Sequence, residues 1–141
     1  MSSEQRIELA EAFLQEAVFA SRAKQAAGAS LMQGAGCGLG TRAEVVLDLS
    51  PRAAQLAKQL WPRELAADEL EIIRRTTADW IERQDALDRK RNHFLKAFRT
   101  QHGFDRNAYS AEQTAAYDHG LEQVNADSAQ ARRSAAERLP R

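Results

Sequence analysis

The chain has 141 residues, enough for one domain with a modest core and too few for two independent cores. Its 20 Lys plus Arg are balanced by 20 Asp plus Glu, so the formal charge is zero, which excludes a protein that works by bulk positive charge and equally an acidic disordered tail. Of the 43% apolar residues, 27 are Ala against 4 Ile and 4 Val, and this helix-forming chemistry predicts an all-α fold.

Ser2 and Gln5 have capping-box spacing, and Ile7, Ala10, Leu14, Ala17 and Val18 then recur every three or four residues. Residues 3–27 are therefore expected to form an amphipathic helix, with Leu9, Phe13 and Ala20 widening its apolar face. Five of the seven glycines fall at 28, 34, 36, 38 and 40, which makes 28–40 a Gly-rich flexible connector. Thr41 and Glu44 repeat the capping spacing ahead of Val45, Val46 and Leu47, favouring a short helix over 41–49, with a strand as the alternative. Ser50 followed by Pro51 starts a clearer helix, because the hydroxyl caps free amides and proline needs no N–H at the first position. It runs to about Trp61 and breaks at Pro62.

Ala66, Leu70, Ile73, Thr77, Trp80, Gln84, Leu87, Arg91, Phe94 and Phe98 alternate steps of four and three, the seam of a helix packed along its whole length. Gly103 follows as a stop, with Phe104 expected to fold back on Phe98. Ser110 and Gln113 open a last helix, whose seam passes through Thr114, Tyr117, Leu121, Val124, Ser128, Ala131 and Ala135 to Leu139. Its small residues imply a close approach to whatever it packs on. The short connector at 103–109 sends it back antiparallel, so 66–139 reads as a long helical hairpin with arms at about 66–101 and 111–139. At ~1.5 Å per residue the first arm would be about 54 Å long, more than the roughly 37 Å diameter of a compact domain of this size. The expected architecture is one elongated helical bundle over 1–141, combining this hairpin with the N-terminal helix and one or two short helices.

Motifs for chemistry fail their tests. The stretch Gly34 to Gly40 meets neither dinucleotide nor phosphate-loop spacing, and no Lys follows it. Cys37, the single cysteine, allows no internal disulfide and has no histidine beside it to activate its thiol. His93, His102 and His119 lack a Glu three residues before them, so the di-metal bundle motif is absent, and metal binding would need a constellation without a recognisable motif, such as His102, Asp105, Asp118 and His119. Arg89 and His93 are separated by three residues, which is too few for the Arg-x4-6-His motif of helical ribonucleases. No catalytic residue, metal or cofactor is expected. The acidic N-terminal segment is unlike a secretion signal, no stretch is apolar enough to span a membrane, and the expected location is the cytoplasm.

Charge is uneven along the chain. Residues 83–106 hold seven basic and three acidic groups, a local balance of +4. Arg89, Lys90, Lys96 and Arg99 are candidates for phosphate contact, against the plainer reading that cations near a helix C-terminus complement its dipole. Arg91 lies on the seam itself, where a buried arginine needs a carboxylate or carbonyls, so it either fixes register with a partner helix or marks where the bundle opens to water. Only 27 of 141 residues are Leu, Ile, Val or Phe, so the core is thin and help from a partner is expected. The sequence thus points to a non-enzymatic helical assembly or adaptor protein, self-associating or docking as a subunit of a larger complex. The seam residues Leu70, Ile73, Thr77, Trp80, Leu87, Arg91, Phe94 and Phe98 would bind the partner. A nucleic-acid-associated regulator using the basic segment 83–106 is the alternative.

Overall fold

The computed structural model describes residues 1–27 and 50–141. The glycine-rich segment 28–40, Cys37 and the 41–49 segment lie outside the described residues. The described residues form an all-α fold with four helices: α1 (Ser3–Ala27), α2 (Pro51–Leu60), α3 (Ala67–His102) and α4 (Ala111–Arg138). A single 3-10 turn, Arg106–Ala108, precedes α4.

The helix starts follow from local chemistry. Ser2 N–H donates to Gln5 Oε1 at 2.8 Å while Gln5 N–H donates back to Ser2 Oγ at 3.2 Å, a reciprocal cap that satisfies two otherwise free amides. Ser110 and Gln113 do the same for α4, at 2.9 and 3.1 Å. Ser50 Oγ accepts from the Ala53 amide at 3.2 Å, with Pro51 in the first position of α2. α3 is one uninterrupted helix of 36 residues. It ends where Gly103 takes φ +94°, a backbone conformation costly for any side chain.

The described residues group into two compact units, residues 1–82 with 132–141, and residues 83–131. In the first, Phe13, Leu14 and Val18 of α1, Leu56 and Leu60 of α2, and Ile73, Thr77, Trp80 and Ile81 of α3 are buried, with α1 lying against α2. Ala135, Ala136 and Leu139 are buried there too. Phe13 and Trp61 meet edge to face with centroids 5.5 Å apart. The Trp80 indole is 1% exposed and donates its N–H to the Leu14 carbonyl at 3.0 Å. No buried side-chain polar atom among the described residues lacks a partner.

In the second unit, α3 and α4 run antiparallel: Gln84 meets Ser128, Lys90 meets Asp127, and Phe98 meets Tyr117. The small-residue seam brings the helices close at Gly120, whose missing Cβ is replaced by the Phe94 ring. Phe104 departs from expectation. It does not fold back on Phe98 but is 81% exposed, because the faces of Phe98 are taken by His102, Tyr109 and Tyr117, with centroids 4.5, 5.4 and 5.4 Å away.

A Cβ added at Gly120 would stand 2.7 Å from Phe94 Cε1 and nearer still to Cε2 and Cζ. Gly→Ala inside a helix ordinarily gains up to about 1 kcal/mol. Here the clash should outweigh that gain, so Gly120→Ala is expected to destabilise by about 1–3 kcal/mol in denaturant titration. In a Phe94→Leu background the loss should shrink, since the two side chains share one space.

Candidate interaction site

The seam residues are mostly occupied within the chain. Ile73, Thr77, Trp80, Leu87 and Phe98 are buried by the molecule itself, and Phe94 and Arg91 are half-buried. A side chain covered by its own chain has little apolar area left to offer, so the apolar area this seam leaves accessible lies at Leu70 and in part at Phe94. Of the eight, Leu70 alone is exposed, at 49%. Thr77 turns its hydroxyl to the Ile73 carbonyl at 2.7 Å, which removes a polar group from the packed face. Arg91 finds a carboxylate on its own helix, with Nη2 3.1 Å from Asp88 Oδ1.

What the second unit presents outward is its connecting turn. Gly103 N–H donates to the Arg99 carbonyl at 2.8 Å, and Tyr109 Oη donates to the Gly103 carbonyl at 2.6 Å. On the other side of Phe104, Asp105 Oδ1 accepts from the Asn107 amide at 3.0 Å. Arg106 lies over the Tyr117 ring, 4.9 Å from its centroid, and pairs with Asp118 at 3.2 Å. The residues flanking Phe104 are thus fixed on both sides, while its own ring stands in water.

The basic candidates divide by environment. Arg89, Lys90 and Lys96 are exposed and Arg99 is half-buried. Lys90 lies 3.8 Å from Asp127. The metal-capable set is not brought together: Gln113 engages His102 at 3.2 Å, Asp105 caps the turn, Asp118 holds Arg106, and His119 is exposed. Among the described residues no cluster of three or more His, Cys, Asp or Glu is placed to hold a metal ion.

No protein-family model, curated protein or solved structure matches the chain.

A cleft in the first unit, about 380 Å³ in volume, escaped the sequence reading because its residues lie at opposite ends of the chain. Arg6 bridges the Leu60 and Pro140 carbonyls at 2.8 and 2.5 Å, and Trp61 Nε1–H donates to the same Pro140 carbonyl at 2.7 Å. Burial, and then the charges of Arg141 and Arg63, hold the Arg6 guanidinium below its usual range. These bonds tie Pro140 to α1 and to the residue that ends α2, which is a structural task. Arg63 forks onto Glu69, at 2.9 and 2.6 Å, and also donates to the Arg141 carbonyl.

Glu69 supplies a pH prediction. The Arg63 hydrogen bonds, helped by the Ala66 amide, hold its carboxyl down to about 2. A lowered folded-state value stabilises above the ordinary carboxylate range, and that stabilisation is lost as pH falls from about 4.5 towards 2. Thermal melts across that window should show a shallower acid decline for Glu69→Gln than for the wild type; parallel declines would contradict the assignment.

Proposed function

We propose that the chain is a non-enzymatic helical assembly or adaptor protein that docks on a protein partner, a second copy or a subunit of a larger complex, through the turn around Phe104. One observation carries this reading: Phe104 is 81% exposed on a turn whose neighbours are pinned. Isolated apolar side chains are common on surfaces. Phe104 is unusual in its setting, because Phe94, Phe98, Tyr109 and Tyr117 form a ring cluster beside it that it does not join. A ring held out on a rigid support loses little freedom on binding and fills a partner's pocket at low entropic cost. The cluster behind it supplies that rigidity.

The seam residues contribute here by packing rather than by contact with the partner. We place the protein in the cytoplasm, a reading supported by its lone cysteine. No helix among the described residues is long and apolar enough to cross a membrane.

The test is a photo-crosslinking phenylalanine analogue at position 104, with the same analogue at the exposed Glu112 as control, in cells that make the protein. A discrete adduct at 104 and none at 112 is expected, and its mass tells a second copy from a different subunit. Phe104→Ala should weaken recovery of the complex by about tenfold or more while leaving the melting temperature unchanged, as befits a contact anchor outside the core. Absence of any adduct above the control overturns the reading.

A further inference from the structure

The outward face of α3 in the second unit carries a row of basic side chains that neither the packing nor the Phe104 turn uses. Arg89, His93 and Lys96 are all exposed and follow one another by steps of four and three. They therefore share one stripe of the helix, with neighbouring Cβ atoms about 5–6 Å apart. Arg99 continues the row at one flank and Lys90 borders it at the other. Among the described residues Arg89, Lys96 and Arg99 take part in no ion pair.

Two plainer explanations fall short. The helix dipole acts within the last turn, where it reaches Arg99 and His102 but neither Lys96 nor Arg89. Pairing along the helix is closed to Lys96 and Arg99, since no carboxylate occurs between residues 89 and 104; Asp88 is turned to Arg91, and Asp85 is the carboxylate one turn before Arg89. The side chains interleaved with the cations are exposed Asn92, Thr100 and Gln101, neutral groups able to hydrogen-bond. With no bulky exposed apolar residue among them, the stripe lacks what an interfacial membrane helix needs.

We propose that this row binds the phosphate backbone of a nucleic acid laid along α3 from Arg89 to Arg99, a span of about 15 Å at ~1.5 Å per residue. A row of exposed basic side chains along one side of the helix matches a linear polyanion, and Asn92, His93 and Gln101 can reach sugar or base edges between the phosphates. The site goes beyond the docking reading and is independent of it, because it uses another face and no residue of the Phe104 turn.

Fluorescence anisotropy of the full chain with a labelled oligo(dT) and a labelled DNA duplex, over a salt series, tests this. Binding should weaken with a log–log salt slope of about −2 to −3, the value for three neutralised phosphates. The variant Arg89→Gln, Lys96→Gln, Arg99→Gln should lose about tenfold or more in affinity and flatten the slope, with its melting temperature retained. Lys96→Glu alone, at an exposed position, should also weaken binding. Phe104→Ala should bind nucleic acid as the wild type does, which separates this site from the docking anchor. Binding by strand or by duplex supports the proposal and tells which form is held. No binding at the lowest salt, unchanged binding by both charge variants, or equal affinity for polyglutamate overturns it.

Discussion

The buried indole of Trp80 is the constraint on which the packing of the first unit depends. A tryptophan 1% exposed brings a large apolar body and one N–H that must find an acceptor. Left unpaired, that N–H would cost about 1–3 kcal/mol, an appreciable fraction of a small domain's stability. The acceptor is the Leu14 carbonyl, so α1 must lie against α3 with that turn facing the indole. Once this contact is set, Phe13, Leu14 and Val18 face inward beside Leu56 and Leu60. The stretch of the α3 seam from Ile73 to Trp80 is then covered by its own chain.

Helix starts were readable because their chemistry is local. Ser2 with Gln5, Ser50 with Pro51 and Ser110 with Gln113 place donors and acceptors within three residues, so spacing alone predicts the caps that form. The four-three rhythm of α3 was readable for the same reason, since it reports only that one face is covered. What covers it depends on contacts such as Leu14 to Trp80, 66 residues apart, to which periodicity is blind. Phe104 was misread because a stop after Gly103 suits a fold-back, whereas Tyr109 and Tyr117 compete for the same ring from further along the chain. Arg91 was half-read: its place on the seam was evident, but a carboxylate three residues earlier satisfies it. The Arg6 and Trp61 tie to Pro140 had no sequence signal, as it spans nearly the whole chain.

A division of labour within the second unit follows. The inward faces of α3 and α4 hold Leu87, Phe98, Tyr117 and Val124, with the close approach at Gly120 setting their separation. The apolar area is modest, and the aromatic cluster at the turn makes the most of it through ring-to-ring contacts worth about 0.5–1.5 kcal/mol each beyond burial. That cluster fixes the turn and leaves Phe104 outside it. The outward side of α3 in this unit is where exposed Arg89 and Lys96 stand. Surface ion pairs such as Lys90 with Asp127 and Arg106 with Asp118 add little to stability and chiefly orient side chains.

That the α3 seam is covered by its own chain is tested most directly by acrylamide quenching of Trp80 fluorescence in a Trp61→Phe background, measured over a wide range of protein concentration. Trp80 should remain shielded from the quencher to the same degree at every dilution. An indole that becomes accessible as the protein is diluted would mean that a second molecule supplies the cover, and would contradict the account.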